Sequence, residues 1–272
     1  MGCIIGEGQE IRYTNVMTGL SVLLVFIFGA VVGSFLNVVI DRLSTGRSIV
    51  YGRSYCEGCK KTLKAYDLLP IVSYLILRGK CRYCKAKIPV RILIVETLSA
   101  IIFASIYLSV VSSSISVLPG IVLGVIILCF VGIFFADLEY GIIPDFLVIV
   151  STFASLIYIV ATGQLVFPHV VTGLITLLFF VLLFVITRGK GMGLGDVKLS
   201  FVLGFFLGFP SIIVALYLAF LTGAGVSIIL VVWKKIRFLG GTIPFGPFLV
   251  GSAIVAYFFG NLIIQHFLMG IL

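Results

Sequence analysis

Seven or eight stretches of this sequence each run for roughly the length of a bilayer crossing with almost no ionisable side chain, and that pattern excludes most folds at once. A helix rises about 1.5 Å per residue through a hydrocarbon core of about 30 Å, so about 20 apolar residues make one span. Such runs extend from Met17 to Ile40, Ile92 to Val111, Val117 to Ala136, Phe146 to Thr162, Pro168 to Thr187, Pro210 to Trp233 and Phe248 to Met269. Leu199 to Phe209 is an eighth run of only 11 residues, short for a full crossing. A membrane β-barrel would alternate apolar and polar positions in segments of about 10 residues, whereas these runs are continuous. With 61% of its 272 residues hydrophobic and 11% charged, the chain has too few ionisable side chains to cover a soluble globule. The fold class read from this pattern is an all-α polytopic membrane protein with about eight transmembrane helices. The first run is too long for a cleavable signal, no A-x-A-like site follows it, and Glu7 and Glu10 spoil a basic flank, so it reads as a retained anchor.

Charge placement gives the threading, because short loops rich in Lys and Arg stay on the cytoplasmic side. Of 19 basic residues, 12 lie between Arg42 and Arg91. The others cluster at Arg188, Lys190 and Lys198 and at Lys234, Lys235 and Arg237, with Arg12 apart. Eight spans from an outside N-terminus put all these clusters inside, together with the Asp137 to Asp145 turn, while Ser112 to Ser116 and Gly163 to Phe167 carry no charge outside. The net charge of +9 is then a topology signal and an attraction to anionic lipid headgroups, with no nucleic acid partner required. Three regions follow: an N-terminal segment with the first span over 1–40, a cytoplasmic loop over 41–91, and a polytopic core over 92–272.

The loop contains Cys56-Glu57-Gly58-Cys59 and, after 21 residues, Cys81-Arg82-Tyr83-Cys84. Two CxxC pairs can give four thiolates to one tetrahedral ion, nearby Lys and Arg favour the ligating thiolates, and a reducing compartment argues against a disulfide. The reading is a small zinc-binding domain, with zinc as a structural staple for a loop that has little apolar material of its own. Four solvent-facing or redox thiols are the alternative. Cys129 reads as a small packing residue, and Cys3 has no assigned role.

A carboxylate at membrane depth costs a few kcal/mol, so the ten acids carry the functional information. Glu7, Glu10, Asp41, Glu57 and Asp67 fall in aqueous segments and read as solvated. Glu96, one turn into the second span, reads as snorkelling or pairing with Arg91. Asp137, Glu139, Asp145 and Asp196 occupy two inner turns. Asp137 ends the run Gly132 to Ala136, Glu139 faces solvent, and Asp145 follows the breakers Gly141 and Pro144 as a cap or first-turn acid. Asp196 follows Gly191-Met192-Gly193-Leu194-Gly195 and precedes Val197-Lys198. Alternating glycines allow a substrate backbone to approach and permit φ values that other residues resist, although a flexible turn with a capping Asp is an equal reading. There is no Walker loop or dinucleotide turn.

Two carboxylates brought together can share one proton, because like charges a few Å apart resist double ionisation. The ionised member takes a proton from water while the neutral member polarises a carbonyl, which hydrolyses a peptide without metal or covalent intermediate. His169 and His266 fall at the outer side of the threading, so no Ser-His or Cys-His dyad faces the inner turns. Pro244 and Pro247 flank Gly246 and interrupt helix hydrogen bonding, leaving backbone groups for an extended substrate segment, or else simply begin a helix. A secondary transporter could also use intramembrane acids, but its site would lie near the midplane between repeats, and no repeat is found. A membrane-anchored zinc interaction module would need the cysteines and not the aspartates.

The sequence resembles the prepilin peptidases, membrane aspartic proteases of the GxGD type. The resemblance rests on Gly33-Ser34-Phe35-Leu36-Asn37-Val38-Val39-Ile40 with Arg42-Leu43, the paired CxxC loop around Leu77-Arg78-Gly79-Lys80-Cys81, Asp137 with Ile143-Pro144-Asp145, Gly193-Leu194-Gly195-Asp196-Val197-Lys198, and Pro244-Phe245-Gly246-Pro247. It implies that Asp137 and Asp196 are catalytic, with Gly193, Gly195, Lys198, Pro244 and Gly246 where the substrate approaches. It also implies cleavage of the basic leader of type IV prepilins or pseudopilins after a glycine, on the cytoplasmic face of a bacterial inner membrane. Gly79 and Lys80 match positions linked to methylation of the new N-terminus by S-adenosylmethionine, and Cys56, Cys59, Cys81 and Cys84 match the zinc tetrad. Asp41 stands where many relatives carry an aromatic or polar residue.

Overall fold

The computed structural model describes residues 7–189, 191–233 and 244–269, without the side chains of 7–18, 231, 261 and 267–269. Cys3, Lys190, Lys234, Lys235 and Arg237 lie outside the described residues or side chains. The regular structure is helical: α1 (Glu7–Ser44), α2 (Val72–Ile76), α3 (Val90–Val111), α4 (Val117–Tyr140), α5 (Asp145–Ala161), α6 (Val166–Ile186), α7 (Leu194–Leu207), α8 (Ser211–Val232) and α9 (Gly246–Met269). Every apolar run forms a helix in the expected order, which bears out the all-α polytopic membrane fold. Among the described residues, five helical segments are long and apolar enough to cross a membrane: Gly19–Ser44, α3, α4, α6 and Ser211–Leu230. The apolar segments Asp145–Ala161 and Gly246–Gly260 are shorter.

The chain divides into two compact units, residues 1–39 with 48–124 and residues 40–47 with 125–272. In the first unit, α1 and α3 meet through glycines. A methyl group on Gly29 would lie 2.9 Å from the Ala100 Cα, and one on Gly33 would lie 2.8 Å from the Glu96 Cα. Gly29 and Gly33 form a small-xxx-small stripe facing Ser99 and Ala100, the packing that brings backbones together where lipid removes the hydrophobic drive between helices. That stripe was readable in the sequence as GxxxG and is not among the features read above.

In the second unit, α7 packs against α5, α6, α8 and α9. This position explains how a 14-residue apolar helix is tolerated: nine of its residues are buried, from Asp196 to Phe206, so protein surrounds it rather than lipid. Its seam with α6 is tight, since a Cβ on Gly204 would meet Thr176 Oγ1 at 2.6 Å. The far end of α7 is held by His169, whose Nδ1 lies 2.8 Å from the Phe205 carbonyl. A helix leaves its last carbonyls without partners, and this imidazole satisfies one.

Candidate active site and metal centre

Two buried carboxylates occupy helix ends in the second unit. Asp137, in the last turn of α4, is 5% exposed, and Asp196, in the first turn of α7, is 7% exposed. They are close enough for Asp137 to act on Asp196 electrostatically. Each is oriented by a backbone amide. Gly246 N–H donates to Asp137 Oδ2 at 2.9 Å, and Gly193 N–H donates to Asp196 Oδ2 at 3.1 Å. The second oxygen of Asp196, Oδ1, is buried and has no hydrogen-bond partner among the described residues. A buried carboxylate oxygen without a donor is costly, so the pocket suits an additional hydrogen-bonding molecule at that atom.

The glycines are explained differently from the sequence expectation. Gly191, Gly193 and Gly195 do not take positive φ; the left-handed glycine here is Gly189, at φ +70°. Gly195 is small because Ile143 lies against it, at 3.0 Å from the position of a Cβ. Gly246 is small because Asp137 is there: a Cβ would stand 2.6 Å from Oδ2. The Pro244-Phe245-Gly246-Pro247 segment therefore presents an amide at the first turn of α9 to Asp137, and the dipole of that helix favours negative charge at the same place. Phe245 anchors the turn, with ring centroids 5.2 Å from Phe220 and 6.5 Å from Phe180. Pro244 is half-buried beside it. Lys198 points outward and pairs with Asp145, Nζ to Oδ1, at 2.8 Å. Sequence reasoning placed both residues at the inner turns without pairing them, because 53 positions separate them.

Several acids read as solvated are bound. Asp41 accepts the Tyr140 hydroxyl at 2.8 Å across 99 positions, a tertiary contact that no local pattern announces. Asp67 accepts from Arg82 Nε at 2.7 Å and from the Lys64 amide at 3.3 Å. Enclosure opposes ionisation of Asp67, but the hydrogen bonds from Arg82 and from the Lys64 amide outweigh it and hold the carboxyl below its usual range. Glu96 does not snorkel. It is 4% exposed, and its Oε2 accepts the Ile71 amide at 2.7 Å. Glu139 is exposed, as expected, and Cys129 is buried in α4.

The four loop cysteines converge in the first unit. Their sulfur atoms lie within 4.8 Å of one another, and Cys56 and Cys84 are 3.7 Å apart. Tetrahedral zinc with Zn–S of about 2.3 Å sets sulfurs about 3.8 Å apart, so this donor set fits such an ion. The two halves repeat one design. Lys60 N–H returns to the Cys56 carbonyl and Lys85 N–H to the Cys81 carbonyl, each lysine has positive φ, and bridges Tyr55 to Thr62 and Lys80 to Lys87 close the turns. The amides of Cys84 and Tyr83 donate to the Cys81 sulfur and hold its thiol down at about 6, favouring the ligating thiolate.

Comparison with known proteins decides the family. Residues 27–110 match the family described as Bacterial Peptidase A24 N-terminal domain, and residues 123–228 match the Type IV leader peptidase family. A prepilin leader peptidase/N-methyltransferase of Burkholderia pseudomallei is 30% identical over 93% of this chain and 90% of its own length. The chain belongs to the type IV leader peptidase family. Similar proteins of the same name include that of Legionella pneumophila, 30% identical over 90% of this chain and 94% of its own, and that of Bacillus subtilis, 28% identical over 90% and 97%. No solved structure matches the chain. The expected membership among the prepilin peptidases is thus borne out for this leader peptidase.

Proposed function

We propose that this leader peptidase cleaves the basic leader from type IV prepilins or pseudopilins, with water activated by Asp137 and Asp196, and then methylates the new N-terminus. The observation carrying the first half is the pair itself: two buried carboxylates at helix ends of one unit, each held by one backbone amide, with Asp196 Oδ1 open to a ligand. The pair shares one proton, since a second negative charge beside the first is unfavourable. The ionised carboxylate takes a proton from water, and the resulting hydroxide equivalent forms a bond to the scissile carbonyl carbon. The protonated carboxyl gives its proton to the carbonyl oxygen. Collapse breaks the C–N bond: the carboxyl that took the proton from water passes it to the departing nitrogen, a gem-diol hydroxyl returns its proton to the other carboxylate, and the pair again holds one proton. Gly193, Gly195, Lys198, Pro244 and Gly246 line the approach.

The substrate class agrees with this site. A prepilin has a basic leader in water and an apolar helix in the bilayer, so its scissile bond sits at the interface where α4 and α7 present their acids. Positive-inside threading puts that interface at the cytoplasmic face of the bacterial inner membrane. The working division is an anchor over 1–40, a zinc loop over 41–91 that serves methylation, and a peptidase core over 92–272. Zinc would be held by Cys56, Cys59, Cys81 and Cys84 as a structural ion, and S-adenosylmethionine would supply the methyl group. Gly79 and Lys80 belong to the methylation segment. Support for this second half is the convergence of the four sulfurs and the name carried by the relatives.

The test is one processing assay on the purified full-length protein with a prepilin and labelled S-adenosylmethionine, read by mass spectrometry. Asp137→Ala and Asp196→Ala each abolish cleavage. The Cys56→Ser, Cys59→Ser double variant keeps partial cleavage with lower stability. Full cleavage by Asp196→Ala refutes the assignment.

A further inference from the structure

Glu96 is a carboxylate buried in a membrane helix that the cleavage chemistry does not use, and its surroundings hold it in place. Gly33 of α1 sits against its backbone, where a Cβ would be 2.8 Å from the Glu96 Cα. The Ser34 hydroxyl bonds to its side chain. The remaining interaction leaves the membrane helices: Oε2 accepts the amide of Ile71, 25 positions earlier, at 2.7 Å.

Ile71 is an unusual residue to find at that point. It has φ 62° and ψ −52°, and the Val72 amide returns to the Pro70 carbonyl, making a γ-turn of the rare left-handed kind at a β-branched residue. Such a backbone persists only where its surroundings over-determine it, and it marks a site where geometry matters. Ile71 is also the N-cap of α2, which has no side-chain cap, so its amide has the Glu96 carboxylate as its partner. From there a continuous set of contacts reaches the methylation segment. Tyr74 of α2 lies over Gly79, its hydroxyl 2.8 Å from where a Cβ would stand, and the Gly79 amide donates to the Tyr74 carbonyl at 3.0 Å. Gly79 has φ +66°, its carbonyl accepts the Ile88 amide, and Lys80 bridges to Lys87 beside Cys81.

We propose that Glu96 is a positioning residue for methyl transfer: its buried carboxylate latches the Pro70–Ile71 turn to the α1–α3 pair and, through α2, sets Gly79 and Lys80. The proposal rests on the methylation half of the function given above. A buried carboxyl suits this task because it gives the Ile71 amide, an orphan donor at the start of α2, a fixed acceptor on the membrane helices.

The test uses full-length Glu96→Ala and Glu96→Gln proteins. Cleavage of a prepilin, methyl transfer to an already cleaved pilin, zinc content, and deuterium uptake over residues 68–78 are measured separately. In Glu96→Ala, methyl transfer falls by about tenfold, the loss expected when a helix-end amide is left without its acceptor. Cleavage stays within about twofold, zinc is retained, and uptake over 68–78 rises. Glu96→Gln keeps an acceptor and recovers much of the transfer rate. Parallel loss of cleavage and transfer, or unchanged transfer with unchanged uptake, overturns the proposal. If the wild-type protein transfers no methyl group, the methylation reading fails and the positioning role with it, while the uptake difference still reports whether the latch exists.

Discussion

Replacing Gly246 by Ala tests the active-site geometry with a single methyl group. The new Cβ would stand 2.6 Å from Asp137 Oδ2, whereas ordinary van der Waals contact begins at 3.4 Å, so the carboxylate must retreat by about 0.8 Å, the difference of the two. That retreat stretches the 2.9 Å hydrogen bond from the Gly246 amide, the protein donor that orients Asp137. Loss of a hydrogen bond to a charged group is worth about 1.5–3 kcal/mol, and a misplacement of about 1 Å in a reacting group costs on the order of 100-fold in rate. We therefore expect kcat for prepilin cleavage to fall by about 10- to 100-fold. The thermal midpoint should fall by a few degrees, because the forced shift and the weakened hydrogen bond outweigh the better helix propensity of Ala. Gly251→Ala is the control: it makes the same change in the same helix, with nothing among the described residues within 4 Å of the added carbon, and should cleave normally. The measurement is initial-rate cleavage in detergent or proteoliposomes with a melting curve for each variant. Wild-type kcat in a folded Gly246→Ala protein would show that the amide and the close approach of Asp137 do not matter to the chemistry.

Lys198→Ala should leave the melting temperature nearly unchanged, because an exposed ion pair contributes about 0–1 kcal/mol, yet raise KM for prepilin; Asp145→Ala, which removes only the partner, should not raise it. Metal analysis should find about one zinc per chain, removed by a strong chelator with loss of thermal stability, and Cys56→Ser with Cys59→Ser should reproduce that loss. Asp67 titrates below its ordinary value, so its contribution to the loop is complete above the unfolded value of about 3.9 and disappears only as pH falls through the lower folded value. Amide protection over residues 64–68, corrected for the pH dependence of intrinsic exchange, should accordingly stay flat between pH 8 and 5, and Asp67→Asn should lower it across that whole range. Gly33→Leu should prevent the close approach of α1 and α3, seen as a large fall in thermal stability, whereas Gly225→Leu, with open space around it among the described residues, should be tolerated.

Apolar continuity alone determined that this chain is a bundle of membrane helices, because a backbone in lipid must satisfy its own hydrogen bonds and a helix is the local way to do so. The paired CxxC spacing likewise announced the cysteine cluster, since each pair needs only a short turn to deliver two sulfurs, and Asp137 and Asp196 stood out because acids beside apolar runs are expensive. Tertiary structure decided what these residues touch. That Gly246 is small to admit Asp137, that Gly195 is small to admit Ile143, that Lys198 meets Asp145, and that Glu96 holds a loop amide all join residues between 25 and 109 positions apart or on separate helices. Local pattern carries the periodicity and the cost of a side chain. Which partner relieves that cost is fixed only when helices close on one another, and a sequence period holds no information about that closure.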